Sequence, residues 1–284
     1  TYGYVKTMDI IRDRAAPMAI LPDNSISVSF TEGGWFFTGY NLCEIRRTSG
    51  TWNTAYATQN FLSDGVLISN NSGVTDSNLN TPYGYFTKSD GTQYAFYNRH
   101  YISSGNFPCE TYYRSRPPAG SWGAATLIAS NAYGTAAALD QAGDIHVLYN
   151  SCNTSNGNPD NILHYKKNFG GAEIVSTETA GEFLSQSDLY ISPSGKVTAA
   201  WSLSYTSVNA NYREIRYNER TPEGVCGTAT NLTTGYSGYG KNFPYFIRGS
   251  RYDVFPRRRQ LVYNENYNDG TDKKRIMLYT WPDF

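Results

Sequence analysis

The stretch "ALDQAGDIHVLYNSCN", residues 138–153, contains the repeat that decides the fold. A turn with Gly and Asp leads into a mainly apolar run that ends on the aromatic Tyr149. This is the pattern of a β-hairpin whose second strand is buried. His146, one of three histidines in the chain, lies inside that strand. Its surroundings decide whether it belongs to a functional site or to the architecture.

The same pattern occurs four more times along the chain. The five copies are "DNSISVSF" (23–30), "DGTQYAFY" (90–97), "GDIHVLY" (143–149), "SGKVTAAW" (194–201) and "RRRQLVY" (257–263). Each copy ends on an aromatic residue, follows a strand, and is itself followed, after a loop, by a third strand. Four copies then show a weaker fourth strand. Four strands per unit, repeated along a chain, predict a β-propeller.

The spacing of the repeats predicts an all-β fold in which one domain, residues 1–284, is a five-bladed propeller of four-stranded antiparallel blades. The predicted blades cover approximately 14–57, 81–130, 133–180, 186–233 and 243–284, with 2–11 added to the last. The fifth unit lacks a fourth strand, so we expect the N-terminal segment to supply it and to close the ring, which removes two exposed sheet edges. An insertion at 57–80, rich in Asn, Ser and Gly, predicts a surface loop.

Composition excludes several classes of protein. Charged residues make up only 17% of the chain, with 24 basic and 24 acidic side chains, which argues against nucleic acid as a partner. No apolar run predicts a membrane span. No Cys/His cluster has the spacing of a metal site and no cofactor motif is present, so we expect neither. Low charge with many Tyr, Asn, Ser, Thr and Gly residues favours a secreted protein, or one on the surface of a virion or cell-surface particle.

The cysteines and the glycosylation sequons are compatible with that location. Four cysteines, at 43, 109, 152 and 226, allow three complete pairings, and the sequence does not choose among them. Asn70, Asn153 and Asn231 begin N-glycosylation sequons.

Loop composition differs between the two ends of the predicted blades. Connections from second to third strands, and those between blades, share what we call the loop-bearing end; the tight hairpins lie at the hairpin end. The loop-bearing end has longer loops that are richer in aromatic, amide and hydroxyl side chains, which suit a glycan or a protein partner. The predicted contact residues are Trp35, Phe36, Tyr40, Arg99, His100, Tyr101, Tyr133, Tyr236, Tyr239 and Lys241. The sequence does not separate a lectin from a structural subunit that assembles into a homo-oligomer.

Two turns carry a family resemblance. "RRTSGTW" (46–52) and "RSRPPAGSW" (114–122) resemble the S-x-D-x-G-x-x-W box of sialidase-type (BNR) repeats, keeping the Gly and the Trp but lacking the Asp. The five-unit pattern resembles the propeller superfamily that includes such repeats, five-bladed lectins and five-bladed glycoside hydrolases. The resemblance implies a propeller that acts on or binds carbohydrate. "IIRDRAAP" (10–17) lacks the Arg-Ile-Pro order of sialidases, so sialidase activity is not implied.

The resemblance also supplies two enzymatic alternatives. Five-bladed glycosidases place carboxylates around the channel mouth, and Asp13 and Asp188 are the candidates on predicted innermost strands. Propeller polysaccharide lyases use Tyr, His and Arg, and "FYNRHY" (96–101) places Arg99, His100 and Tyr101 at the loop-bearing end.

His146 itself falls in a repeated column of hydrogen-bonding residues at the hairpin end of the second strands. Its counterparts are Ser27, Tyr94, Thr198 and Gln260. A polar column between blades must be hydrogen-bonded to be buried without a large cost. We therefore predict an architectural role for His146 and favour His100 as the functional histidine.

Overall fold

Five antiparallel sheets follow one another along the chain in the computed structural model. The structure describes residues 18–21, 23–33, 40–52, 66–69, 79–100, 109–118, 120–153, 159–179, 182–205, 213–233, 241–247, 259–268 and 272–281. These ranges form twenty strands and contain no helix, which confirms the all-β prediction. No helix among them is long and apolar enough to cross a membrane.

The strands are numbered in chain order, and neighbours in each sheet follow that order except that β5 pairs with β3. Sheet 1 contains β1 (Met18–Ile20), β2 (Ile26–Gly33), β3 (Tyr40–Thr48), β4 (Thr51–Trp52) and β5 (Val66–Ser69). Sheet 2 contains β6 (Leu79–Thr87), β7 (Gln93–His100), β8 (Cys109–Arg116) and β9 (Thr126–Ser130). Sheet 3 contains β10 (Ala132–Leu139), β11 (Ile145–Cys152), β12 (Pro159–Lys167) and β13 (Glu173–Thr177). Sheet 4 contains β14 (Glu182–Ile191), β15 (Val197–Tyr205), β16 (Arg213–Arg220) and β17 (Thr230–Asn231). Sheet 5 contains β18 (Lys241–Phe246), β19 (Gln260–Asn268) and β20 (Asp272–Thr280).

The first hairpin of four sheets has one shared geometry. In sheet 2, the Lys88 N–H donates to the Thr92 carbonyl at 2.8 Å and the Gly91 N–H donates to the Lys88 carbonyl at 2.9 Å. Gly91 has φ 85°, a left-handed conformation that favours glycine or asparagine. The same pair of bonds recurs in the other three sheets, with a positive φ at Asn24, Gly143 and Gly195. Local turn chemistry therefore sets where each second strand begins.

The aromatic residues that end the repeats lie in the second strands. Tyr97, Tyr149, Trp201 and Tyr263 are all buried, as the repeat predicted. Trp201 is fully enclosed in an apolar cluster that includes Leu184, Leu189 and Leu203. Tyr263 packs in a cluster with Ala200 and Ile215 of sheet 4, whereas Tyr97 stacks on Tyr112 of its own sheet.

The chain forms two compact units. The first comprises 1–134 with 152–158, and the second comprises 135–151 with 159–284. Sheets 1 and 2 lie in the first unit, and sheets 4 and 5 with most of sheet 3 lie in the second. The N-terminal segment 2–11, expected to close a ring, lies outside the described residues.

One expectation about the first sheet is wrong. The insertion at 57–80 was expected to be a surface loop, but Val66–Ser69 forms β5 and pairs with β3 through Glu44–Val66 and Cys43–Leu67. The sequence Val-Leu-Ile-Ser has the β-branched, apolar character of a strand, which outweighs the polar residues on both sides of it.

Candidate functional site

A polar position recurs at the loop-bearing end of the sheets. It lies two residues beyond the buried aromatic residue of the second strand, and we call it the rim position. Arg99 occupies it in sheet 2, Ser151 in sheet 3 and Glu265 in sheet 5. In each of these three sheets the rim residue lies beside a polar residue of the third strand. Each rim position therefore holds a pair of polar side chains.

In sheet 2 the rim position builds a cluster of Arg99, Glu110 and Tyr112. Arg99 is in register with Glu110, and the Tyr112 hydroxyl donates to Glu110 Oε2 at 2.7 Å. The Tyr112 ring stacks on Tyr97 with centroids 5.8 Å apart. Burial, followed by the Glu110 carboxylate, raises the pKa of Tyr112 to about 12. The phenol therefore stays protonated at neutral pH, and all three cluster residues remain partly exposed.

In sheet 3 the rim position pairs Ser151 with His164. Ser151 Oγ lies 2.9 Å from His164 Nε2, and the Tyr149 ring stacks on the imidazole with centroids 5.0 Å apart. Burial, together with the charge of Lys166, lowers the pKa of His164. His164 Nε2 is engaged with Ser151 and its Nδ1 is buried, so the polar group that this pair offers to a hydroxyl-rich ligand is the Ser151 hydroxyl.

In sheet 5 the rim position carries charge. Arg275 Nε and Nη2 each lie 2.5 Å from Glu265 Oε2, and Lys241 Nζ lies 3.9 Å from Glu265 Oε1. Lys241 and Glu265 are buried, whereas the Arg275 side chain is 54% exposed. This arrangement presents a guanidinium to solvent in a fixed orientation.

A disulfide fixes the loop-bearing end of the first unit. Cys109, the first residue of β8, is bonded to Cys152, the last residue of β11, with Cα atoms 6.3 Å apart. Asn98 adds two hydrogen bonds, from its Nδ2 to the Gly134 carbonyl and to its Oδ1 from the Gly134 N–H. The bond selects one pairing that the sequence left open, and Cys226 is a free thiol. The disulfide therefore joins the end of the β7–β8 connection to the start of the β11–β12 connection.

Asp188, a predicted catalytic acid, lies on the first strand of sheet 4. It follows a β-bulge at which the β14–β15 register shifts between Ser185 and Ser187, and Gln186 has φ 43°. Asp188 is buried, and its Oδ2 accepts the Phe246 N–H at 2.8 Å. Bulges often re-aim side chains next to active sites, but this carboxylate is engaged in holding β18.

Asp188 and Glu265 do not form a glycosidase pair. They contact β18 at Phe246 and Lys241 respectively, five residues apart along the strand. These contact points lie roughly 15 Å apart, beyond the ~5–9.5 Å between paired glycosidase carboxylates. The partner predicted for Asp188 is Asp13, which lies outside the described residues.

The other predicted site residues are distributed as follows. Tyr133 and Lys241 are buried, and Arg99 is partly exposed. Tyr40 begins β3, and His100 ends β7 on a strand whose register with β8 is unbroken. Of the sequons, Asn153 and Asn231 are exposed and Asn70 is not described. The remaining contact residues lie outside the described residues; they are Trp35, Phe36, Tyr101, Tyr236 and Tyr239.

Sequence reasoning missed the partners of the rim position. These partners are Glu110 and Tyr112, His164 and Arg275, which lie on third strands that follow the second strands after loops of different length. The rim residues Ser151 and Glu265 were also missed. The sequence signal that could have identified the rim residues was their position, two residues after the buried aromatic residue of each second strand. Their third-strand partners become visible only with the register of the third strand.

Comparison with solved structures places the chain among β-propeller-like folds. A protein of unknown function from Dyadobacter fermentans has a TM-score of 0.60 and 13% identity, covering 92% of this chain and 77% of that one. An ulvan lyase, a polysaccharide lyase, has a TM-score of 0.58 and 11% identity, covering 93% of this chain and 63% of that one. An endo-arabinase from Bacteroides thetaiotaomicron has a TM-score of 0.55 and 11% identity, covering 97% of both chains. No protein-family model and no curated protein matches the sequence.

Proposed function

We propose that this protein binds glycans through the loop-bearing end of its sheets. The observation that carries the proposal is the partly exposed cluster at the anchored end of sheet 2, in which Tyr112 donates to Glu110 and Arg99 is in register with Glu110. Guanidinium, carboxylate and phenol provide directional donors and acceptors for sugar hydroxyls, and tyrosine rings provide apolar faces for sugar rings. Solved structures with a similar fold include an ulvan lyase and an endo-arabinase, which supports a carbohydrate ligand.

An extracellular location is part of the proposal. The bond between Cys109 and Cys152 supports it, because structural disulfides persist in oxidising compartments. Exposed sequon asparagines at 153 and 231 are compatible with it. Self-assembly through the same end is the competing function, in which the partner is another copy of this protein.

Binding to immobilised and soluble polysaccharides tests the proposal. Arg99→Ala removes a charged donor and should weaken binding about tenfold, while Tyr112→Phe removes only the hydroxyl and should weaken it severalfold. Arg47→Ala is the matched control, because Arg47 is an exposed arginine at the hairpin end that bonds the Gly50 carbonyl, and it should bind like the wild type. If no polysaccharide binds and the pure protein elutes as a large assembly, self-assembly replaces glycan binding.

A polysaccharide lyase is the second candidate function. Arg99 favours it, because a guanidinium neutralises a uronate carboxylate while a base removes the adjacent proton. Tyr112 is a poor base because its pKa is raised to about 12, so His100 or Tyr101 would take that role. His100→Ala or Tyr101→Phe, whichever removes the base, should then abolish the rise in ultraviolet absorbance that accompanies the unsaturated product. Unchanged turnover in both variants would exclude the proposed lyase.

We also propose that the five sheets are five blades of one ring, closed by residues 2–11 as a further strand beside β20. The support comes from sheet 5, in which β20 pairs with β19 alone among the described strands. One face of this sheet is exposed and apolar; its exposed residues are Tyr245, Ile247, Ile276 and Leu278. Apolar sheet faces of this size are normally covered in a soluble protein.

A further inference from the structure

A row of charged residues crosses sheet 5 at its loop-bearing end. Lys241 on β18 is in register with Glu265 on β19, which is in register with Arg275 on β20. Each strand of the sheet thus contributes one charged residue to the same row. Two cations share one carboxylate, so the row carries a net charge of +1.

The geometry leaves the positive charge at the accessible end of the row. Glu265 is buried and is held by two nitrogens of Arg275, which fixes the plane of the guanidinium. Lys241 is buried on the other side of the carboxylate, with its side chain 8% exposed. Arg275 is more than half exposed, so the surface of the row that meets solvent is a positioned guanidinium.

The sequence of β20 adds further positive charge next to the row along the strand, with position 273 on the same face as Arg275 and position 274 on the other face. The strand opens with Lys273, Lys274 and Arg275, in register with Tyr267, Asn266 and Glu265. With Lys241 these make four cations, against the two carboxylates of Asp272 and Glu265, a local excess of +2. The whole chain has 24 basic and 24 acidic residues, so this excess is a local feature.

The corresponding positions of sheets 2 and 3 do not share it. Arg99 faces Glu110 in sheet 2, and Ser151 faces His164 in sheet 3, so those pairs are balanced or uncharged. Arg259, the last residue of the basic run at 257–259, is buried and bonded to Thr198 and Glu219. It is therefore not available to bind an anionic ligand.

We infer that the sheet 5 row is a subsite for an anionic substituent, a carboxylate or a sulfate, on an acidic glycan. The inference rests on the proposed glycan binding and names the class of glycan. A guanidinium whose plane is already fixed loses little conformational freedom when it forms two hydrogen bonds to such a group. Lys241 and the lysines of β20 add attraction that depends on ionic strength.

Affinity for three polysaccharide probes tests the inference: polygalacturonate for carboxylate, dextran sulfate for sulfate, and dextran as the uncharged reference. We expect at least one anionic probe to bind ten times more tightly than dextran, and its affinity to fall with added salt. Arg275→Gln should lower that affinity about tenfold and Arg275→Lys severalfold, since lysine keeps the charge but loses the fixed pair of donors. The relative affinities of the two anionic probes distinguish carboxylate from sulfate.

Two further variants separate binding from stability. Lys273→Gln leaves the Glu265–Arg275 pair intact, and position 273 lies on the same face of β20 as Arg275. This variant should lower anionic affinity severalfold even if Arg275→Gln is unstable. Lys167→Gln removes an exposed cation at the hairpin end of sheet 3, paired with Asp144, and should leave affinity unchanged. Equal affinity for dextran and both anionic probes, or wild-type affinity in folded Arg275→Gln and Lys273→Gln, overturns the inference while keeping glycan binding. Failure of every glycan to bind overturns the proposed function itself.

Discussion

At the scale of a single residue, His146 shows how the fold holds a polar ring inside a sheet. It is 2% exposed, with Nε2 lying 3.1 Å from Asp140 Oδ2 and Nδ1 lying 2.6 Å from the Tyr165 hydroxyl. Burial lowers the pKa of His146 more strongly than the Asp140 carboxylate raises it. The neutral ring donates to Asp140 and accepts from Tyr165, so both nitrogens are satisfied, which confirms the architectural role predicted from the repeat.

Stability should fall as the pH drops below about 6.5, the ordinary pKa of histidine. The folded state holds the pKa of His146 below that value, so the unfolded chain binds the proton first and is favoured by acid. His164 contributes in the same direction. Urea unfolding at pH 7 and pH 5 should show the loss, and His146→Gln should reduce it. An equally steep pH dependence in His146→Gln would contradict this account.

At the scale of the element, arginines clamp neighbouring sheets at the hairpin end. Each reaches a carboxylate on the preceding sheet and lies over an aromatic ring. The three sets are Arg116 with Glu44 and Trp122, Arg220 with Glu173 and Tyr165, and Arg259 with Glu219 and Trp281. The clamp holds sheets together at the end opposite the loops, so loop sequence can vary without loss of the contact between sheets.

Removing one clamp should cost more than removing a surface ion pair. Arg220 makes two hydrogen bonds to Glu173, at 2.6 and 2.8 Å, and its side chain is only 12% exposed. Arg220→Met should destabilise the fold by about 2 kcal/mol, and Arg220→Lys by about 1, because lysine loses the paired geometry. Lys167→Met removes an exposed pair with Asp144 and should cost less than ~0.5 kcal/mol. Chemical denaturation measures all three, and equal losses for Arg220→Met and Lys167→Met would refute the clamp.

At the scale of the whole molecule, the two faces of sheet 5 differ in packing. Phe246, Leu261 and Trp281 pack with Ala200 and Ile215 of sheet 4 in a buried cluster. The opposite face exposes Ile276 at 78% and Leu278 at 57%. Strand β20 also has an unpaired edge among the described strands. An apolar face beside an open edge promotes association between chains unless another segment covers it.

Deletion of residues 2–11 tests the proposed closure. If this segment adds to β20, its loss should lower the melting temperature and produce concentration-dependent aggregation. Ile276→Lys in the shortened chain should reduce the aggregation, because a charge blocks association of an edge. A shortened chain that stays monomeric with an unchanged melting temperature would rule out closure by this segment.

Much of the fold could be predicted because its signals are local. The turn residues around Gly91, Gly143 and Gly195 and the aromatic column through Trp201 each depend on a few neighbouring positions. The candidate site could be predicted only in part. Arg99 and Lys241 were chosen from their place in loops or at strand ends, but Glu110 and Arg275 were not, because cross-strand partners depend on register.

The sequence by itself determined the five repeats, the all-β class and the buried role of His146, since strand periodicity and turn chemistry act over a few residues. Only the tertiary structure decided that Cys109 bonds Cys152, that Tyr112 holds Glu110 beside Arg99, and that Lys241 and Arg275 share Glu265. Each of these contacts joins different strands across a loop. Their formation depends on how the strands pair and how the sheets pack, which no short stretch of the chain encodes.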